Sequence, residues 1–447
     1  MKRSAWRYLW SAHDIRRKLL ITLLILAIYR LACHVPVPGA NKDVMAQILS
    51  AGGAAGNLIN ILDLLSGGTV SRFSVLAMGV YPYITAQIIL QLLTPIIPSM
   101  QKKMEEDPRE GQKWQQKWTY YLAVPMAALQ AIGQVNIFNN SATQIGLSPV
   151  IENFGFQNFL PSLTIIVSMT AGTMFAIWLG ELISEYGLRN QGLSLIIFTG
   201  IVARIPATFQ GIIADATTRW IGLIFMVVLS LATIFAIVVV QQGRRNVPVM
   251  YPGRRMGSRM SMPVKGTLPL MVNMAGMIPI IFAQSLLTFP SIIASFFTTS
   301  QNTTIANLAS GVVNLFGGSG NVYWIMYFLM VVFFSFFYTD VLFAQQNYGE
   351  NLKKVGAQIP GVARGAPTQK YLTRVLRRIT LPGAVFLGII AVLPWLVGLV
   401  VPFGKSTGLL LTSSSGLLIV VGVVKDVFFN IDADLKLHGY DDSLLVR

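Results

Sequence analysis

The chain has 447 residues, of which 53% are hydrophobic and only 12% charged, with a mean hydropathy of +0.60 and a formal net charge of +16. Soluble domains carry about 25% charged residues, so this composition excludes an ordinary soluble enzyme and describes a polytopic integral membrane protein. The single cysteine, Cys33, excludes an internal disulfide, and His13, His34 and His438 stand apart from any ligand-spaced cluster, so neither a metal nor a cofactor is expected.

The N-terminus is basic and then apolar, in the manner of a signal peptide. However, eighteen residues precede the apolar run and no small-x-small cleavage site follows Leu31-Ala32-Cys33-His34, so it reads as a retained first span. Long apolar runs give ten expected spans, at 19–37, 73–93, 118–136, 159–180, 193–213, 219–240, 269–290, 321–343, 380–401 and 409–429. Between the first two lies a segment that starts like a membrane helix and stalls. Residues 57–65 read NLINILDLL, and Ser66-Gly67-Gly68 breaks the run. A spanning helix needs about 20 apolar residues. Non-helical backbone survives at membrane depth only where protein or a water-filled cavity covers it. A half-segment feeding a whole one therefore points to a channel or transporter rather than an anchor. Trp118, Trp178, Trp220 and Trp324 fall at span ends, where an interfacial belt would hold them.

Positive charge alternates between loops. The segment before the first span holds Lys2, Arg3, Arg7, Arg16, Arg17 and Lys18, and loop 2/3 holds Lys102, Lys103, Arg109, Lys113 and Lys117. Loop 6/7 (241–268) holds Arg244, Arg245, Arg254, Arg255, Arg259 and Lys265, with no acid. Loop 8/9 (344–379) holds Lys353, Lys354, Arg364, Lys370, Arg374, Arg377 and Arg378 against Glu350 alone. Loop 3/4 (137–158) has no Lys or Arg, and loop 7/8 (291–320) has no charged residue. The positive-inside rule then puts both termini in the cytoplasm, which requires an even number of spans. Ten spans divide into five plus five, an N-terminal half at 1–213 and a C-terminal half at 214–447. An odd-span half, once duplicated, inserts its second copy upside down, with a functional site between the halves. Loop 2/3, mixed with Glu105, Glu106, Asp107 and Glu110, is basic only as topology demands. Loops 6/7 and 8/9 are longer than a connection needs, and two readings stand: topology alone, or a docking surface for an anionic partner.

Several motifs carry nothing. Gly404-Lys405-Ser406 imitates the end of a phosphate-binding loop, but five residues instead of four separate it from Gly398, and it lies between two spans. The triplets Asn139-Asn140-Ser141 and Asn302-Thr303-Thr304 match a glycosylation pattern that occurs often by chance. Ionisable residues within the spans are few (Arg30, Arg204, Asp340, Lys425 and Asp426) and mostly sit near the ends, which counts against ion-coupled transport. Gly79 and Pro82, Gly276 and Pro279, and Pro394 punctuate the spans and read as kinks. Asn273, just ahead of Gly276, is a polar side chain in an apolar run that needs a partner inside the bundle.

Four blocks give a specific resemblance: SGGTVSRFSVLAMGVYPYITAQIILQLL at 66–93, GLSLIIFTGIVARIP at 192–206, LPLMVNMAGMIPIIFAQSLLTFP at 268–290, and ENLKKVGAQIPG at 350–361 with YLTRVLRRITLPGAVFLGIIAVLP and SSSGLLIVVGVVKD after it. In this order and with these loop lengths they resemble the SecY family, the central subunit of the general protein-conducting channel, over nearly the whole chain. The resemblance implies an all-α integral membrane protein of ten transmembrane helices in two pseudo-symmetric five-helix halves around a central pore. It implies a passive channel for secretory and membrane polypeptides in a bacterial plasma membrane, and no enzymatic activity. Carried over by motif position, a pore ring falls on Val80, Ile84, Leu193, Ile197, Ile281 and Ile419. A plug spans 57–68, including Asn57, Ile61, Asp63, Leu64, Leu65, Ser66, Gly67 and Gly68. The second and seventh spans become a lateral gate to the lipid bilayer, with Thr85, Gln130 and Asn273 as its polar groups. Arg244, Arg245, Arg254, Arg255, Arg259, Lys353, Lys354 and Arg364 become the docking residues for the SecA motor ATPase or the ribosome, and SecE and SecG are the expected membrane partners. The chain departs from the family at Met271, where a basic residue is usual, at Val264-Lys265-Gly266-Thr267 in place of a Gln-Ser-Thr run, at Val362-Ala363-Arg364-Gly365 and at Asp340. The alternatives are an inverted-repeat secondary transporter of a small solute and an insertase-like scaffold without an aqueous pore.

Overall fold

The structure is a computed structural model that describes residues 13–51, 69–70, 72–94, 97–100, 103, 108–144, 146–151, 154–155, 158–189, 191–214, 219–252, 255–256, 259–260, 264–297, 302–316, 320–400 and 413–437. In chain order its elements are α1 (His13–Ala32), α2 (Lys42–Ala51), α3 (Tyr81–Leu93), α4 (Pro108–Gln144), α5 (Phe159–Tyr186), α6 (Gly192–Ala214), α7 (Arg219–Gln242), β1 (Arg244–Tyr251), β2 (Arg255–Met256), β3 (Arg259–Met260), β4 (Val264–Met271), α8 (Ile278–Ser295), α9 (Thr303–Phe316), α10 (Asn321–Gln346), α11 (Tyr348–Lys354), α12 (Ala366–Val400) and α13 (Ser413–Leu437). Each of the ten expected spans meets one helix. Among the described residues, six stretches are individually long and apolar enough to cross a bilayer. Apolar runs become helices here because hydrocarbon offers no partner to an open backbone group. Helices α4 and α12, of 37 and 35 residues, are each over 50 Å long at about 1.5 Å per residue. Each therefore outruns a core of about 30 Å and carries its polar, basic first turns beyond it.

Helix α5 packs on α1, α4 and α6, and α10 packs on α8 and α12. The first six helices meet the later ones along two lines: α3 and α4 against α8, and α6 against α7 and α13. Exposed apolar side chains such as Leu23, Trp178, Trp220, Phe235 and Leu329 cover the outer surface, as lipid contact requires.

Two spans start later than the hydropathy suggests. The run from Phe73 is helical only from Tyr81, and residues 72–80 form successive turns with one bridge at Ser74. Phe73 and Gly79 have positive φ, 44° and 52°, which no helix accommodates. Apart from exposed Arg72, the described part of this irregular backbone is buried or half-buried, and several of its polar groups are paired. Val37 N donates to Phe73 O at 3.0 Å and Val75 N to Val35 O at 3.0 Å. Thr69 Oγ1 donates to Leu76 O at 2.8 Å, and Leu76 N donates to Ser74 Oγ at 3.0 Å. The seventh span likewise begins at Ile278 rather than 269, because 264–271 is strand β4. Among the described residues the paired strands lie in this loop, where β1 and β4 pair antiparallel from Arg244↔Met271 to Tyr251↔Val264.

Several residues singled out in the sequence have structural work. Asn139 brackets the Ile151 backbone, donating from Nδ2 to its carbonyl at 3.2 Å and accepting its N–H at 3.0 Å. Asn302 Oδ1 accepts Thr304 N at 3.3 Å ahead of α9. Asp340 takes a two-pronged contact from Arg377 of α12, whose Nε and Nη2 donate at 3.1 and 2.8 Å to Oδ2. The carboxylate raises the guanidinium pKa above its ordinary value.

Gly172 of α5 is the seat of the irregular segment. A Cβ built there would meet Val75 O at 2.2 Å. Gly172→Val is therefore expected to lower the thermal unfolding temperature of the detergent-purified chain, at an overpacking cost of about 1–3 kcal/mol. Gly311→Ala, whose Cβ would meet nothing within 4 Å, is expected not to lower it.

Candidate functional site

The six aliphatic residues expected to form a ring come from four separated helices and meet in one apolar cluster. Val80, Ile197, Ile281 and Ile419 are buried in it, and Ile84 and Leu193 are half-buried against it. Val80 is the residue that caps α3, and Ile84 lies one turn further on. Leu193 and Ile197 share one face of α6 by their four-residue spacing. Ile281 lies in the first turn of α8 and Ile419 in the second turn of α13.

The cluster extends well beyond these six, and one of its members that sequence reading did not single out is Met277, which is half-buried against it. Met277 caps α8 with φ −93° and ψ −10°, close to the −96° and 6° of Val80 at α3. Gly79 and Gly276, with φ 52° and 63°, precede the two caps. Pro82 and Pro279 sit at the first helical positions, where a missing N–H costs nothing and the fixed φ suits the helix. One constant offset along the chain relates Gly79 to Gly276, Val80 to Met277, Pro82 to Pro279 and Ile84 to Ile281. The signal was GVYP and GMIP. These glycines and prolines start helices rather than kink them, which corrects the kink reading.

The seam between α3, α4 and α8 is narrow. Tyr81 Oη donates to Ser285 O at 3.3 Å, and Asn140 Nδ2 donates to Ser295 O at 3.2 Å. Ile292 of α8 lies in a cluster with Ala127, Ala131 and Val135 of α4. Of the expected gate residues, Gln130 Nε2 donates to Thr85 Oγ1 at 3.3 Å, and both side chains are buried. Gln130 Oε1 and Gln134 Oε1 accept no hydrogen bond from the protein. Asn273 does not join them. It lies in the turn before α8, and its Nδ2 donates to Gly276 O at 3.0 Å, so its buried amide holds that turn.

The two long basic loops form one body. Met250 N donates to Gln358 O at 2.8 Å, and Gln358 N returns a bond to Met250 O at 2.9 Å. Val247, Val249 and Leu270 of the ribbon share a core with Ala357, Ile359, Leu372 and Leu376. On this frame Arg244, Arg245, Lys353, Lys354 and Arg364 are exposed. Arg364 Nε donates to Gln358 Oε1 at 3.1 Å, and Lys353 lies 3.8 Å from Glu350, an exposed pair worth only a few tenths of a kcal/mol. Arg255 and Arg259 lie in the short β2–β3 pair. Arg254 lies outside the described residues, as does the whole 57–68 segment from Asn57 to Gly68. Met271, where the family usually has a basic residue, ends β4 opposite Arg244.

An apolar cluster fed by helices from both parts of the chain, long apolar helices packed around it and a body of two basic loops define a multi-pass membrane protein of the channel kind. A profile of the SecY family matches residues 74–428. Protein translocase subunit SecY of Mycobacterium tuberculosis (strain H37Rv) is 38% identical over 449 residues, covering 96% of this chain and 97% of the relative. Its counterpart in Aquifex aeolicus is 38% identical over 439 residues, covering 97% of both chains. A solved structure described as "The structure of a protein conducting channel" superimposes with a TM-score of 0.54 at 17% identity, covering 96% of this chain and 95% of that one. The chain belongs to the SecY family.

A Cβ on Gly133 of α4 would lie 2.4 Å from Ile292 Cγ2 of α8. Gly133→Ala is expected to destabilise the closed seam by about 1–3 kcal/mol, read as faster protease cleavage or a lower unfolding temperature. Adding Ile292→Ala to it should recover most of that loss, the coupling expected of residues in contact.

Proposed function

We propose that the chain is a passive channel that moves unfolded secretory polypeptides across a bacterial plasma membrane and releases apolar segments sideways into lipid. The observation that carries this reading is the convergence of Val80, Ile84, Leu193, Ile197, Ile281 and Ile419 on one cluster. A narrow aliphatic constriction resists wetting, so it blocks ions when empty and closes around a passing chain without binding it tightly. A small-solute transporter needs polar groups where its substrate sits, and these six side chains offer none, so the transporter reading is not favoured.

On this reading the pore lies between residues 1–213 and 214–447. The Gly-x-x-Pro entrances of α3 and α8, related by one offset, support the pairing of the second span with the seventh. The seam of α3 and α4 with α8 is the lateral gate, with Gln130 and Thr85 as its polar pair and Asn273 acting on it by holding the entrance to α8. Residues 57–68 are the plug. The basic body faces the cytosol, as do both termini, and docks a motor ATPase of the SecA type or the ribosome. SecE and SecG complete the membrane assembly.

A disulfide cross-link tests the path. With Cys33→Ser and Ile281→Cys, a secretory chain carrying its own cysteine and stalled in membrane vesicles should bond to position 281 only while it is stalled. If efficient trapping gives no bond at 281, nor with cysteine at 80 or 419, the ring is misplaced or the cargo is not polypeptide.

The docking assignment makes a separate prediction. Lys353→Glu with Arg364→Glu should slow motor association several-fold and flatten its salt dependence, since exposed rim charges act mainly on encounter. Unchanged rates at low salt would restrict these side chains to setting topology.

A further inference from the structure

Helix α9, Thr303–Phe316, belongs to neither the constriction, the seam nor the basic body. It packs on α8 and, more lightly, on α10. Connectivity starts it from the end of α8 remote from the ribbon, since β4 enters one end of α8 and α9 follows the other. The whole stretch 291–320 carries no charge, so ion pairs cannot hold this helix at a surface.

Its side chains sort into three sectors rather than two. At about 3.6 residues per turn, Ala306, Ala309, Val313 and Phe316 share one side, and these are buried or half-buried. Asn307, Ser310, Gly311 and Asn314 share a second side and are exposed. Ile305, Leu308 and Leu315 fill the third, and they too are exposed, at 42%, 69% and 42%. A helix wholly in water would not array three large aliphatic side chains beside an uncharged polar face. One sunk in hydrocarbon would not keep two asparagines and a serine on the surface. The boundary between headgroups and acyl chains satisfies both. The apolar sector also continues the lipid-facing surface of its neighbours, through Ile293 of α8, Phe297 just past it, and Val322 and Ile325 of α10, which are 44–53% exposed.

We propose that α9 is an interfacial foot. It lies in the plane of the leaflet opposite the basic loops, with Ile305, Leu308 and Leu315 among the acyl chains and the Asn307–Asn314 face toward water. Bulk phospholipid of that leaflet is its partner. Because α9 is built onto α8, its insertion fixes the depth of that end of the gate helix. Because it has no charge, its seating is indifferent to anionic lipid. The inference rests on the membrane location and not on the channel reading, and its readout does not involve transport.

The test uses the full chain in the Cys33→Ser background, carrying Leu308→Cys or Asn314→Cys labelled with a nitrobenzoxadiazole probe, in vesicles of phosphatidylcholine alone or mixed with phosphatidylglycerol. The 308 probe should be quenched by lipid-borne nitroxides placed about 5–10 Å below the headgroups and shielded from iodide supplied on both faces. The 314 probe should show the converse, and neither result should change with phosphatidylglycerol. Leu315→Cys repeats the 308 measurement at a second position and guards against a local defect. Iodide quenching at 308 and 315 equal to that at 314 overturns the proposal in favour of a water-exposed helix. Shielding at 308 and 315 from both quenchers overturns it in favour of a protein cover, and dependence on phosphatidylglycerol overturns the charge-independent seating.

Discussion

An irregular backbone at membrane depth must find every hydrogen bond within the protein, because lipid supplies none. The described residues between 69 and 80 meet much of that constraint through bonds to neighbouring backbone and side chains, and much of the structure follows from how they do. Their carbonyls and amides are taken up by Val35 and Val37 on one side and by Thr69 and Ser74 within the segment. Gly172 lets the strand-like stretch at Val75 press against α5 with no intervening side chain. Held in this way, the segment delivers Val80 to the shared apolar cluster as a buried cap of α3 rather than as a residue partway along a loop. A straight second span would have placed the same valine partway along a helix.

The same device occurs twice. At α3 and at α8 a glycine with positive φ reverses the chain, an apolar residue caps the helix, and a proline at its first positions fixes the entry. Each helix then presents an isoleucine one turn later, Ile84 and Ile281, to the shared cluster. On the proposed channel reading, two helices that begin at the aliphatic cluster, rather than pass through it, tilt about their capped ends without dragging those contacts far. The seam they form with α4 is correspondingly light. It comprises two long side-chain-to-carbonyl bonds and the apolar packing of Ile292 on Ala127, Ala131 and Val135, while the Gln130–Thr85 bond joins α4 to α3 beside it. Hydrogen bonds between helices in membranes average about 0.6 kcal/mol, so the two across this seam contribute little, and on the proposed reading an inserted apolar segment displaces them at small cost.

What was legible in the sequence was whatever depends on hydropathy and charge. The ten apolar runs located ten helices, because a run of that length has no other stable form in lipid. The alternation of Lys and Arg located the basic body, because loops 6/7 and 8/9 carry almost no acid. What was not legible depends on local backbone conformation. Hydropathy cannot distinguish a buried turn from a buried helix, so the late starts of α3 and α8 were hidden within continuous apolar stretches. Asn273 was read as lying inside a helix for the same reason, and its amide holds a turn instead. Strand β4 was hidden because LPLM is as apolar as a helix end, and only its pairing with β1 fixes it. Met277 was hidden because thioether and aliphatic residues are ordinary in any span, and only the repeated Gly-x-x-Pro entrance gives it a counterpart in Val80.

The placement of the charged residues that do lie near the membrane follows from the same economy. Asp340 would be costly alone at the end of α10, and it is met by a two-pronged contact from Arg377 on the neighbouring helix. Lys18 of α1 meets Asp434 of α13 at 2.6 Å and ties the first helix to the last. Both pairs join helices at the end of the molecule that carries the basic body. No such pair crosses the α3–α4–α8 seam among the described residues, where the contacts are aliphatic or neutral. Charge is therefore spent on holding the frame together, and the one line along which the frame is proposed to open is left to interactions weak enough to break.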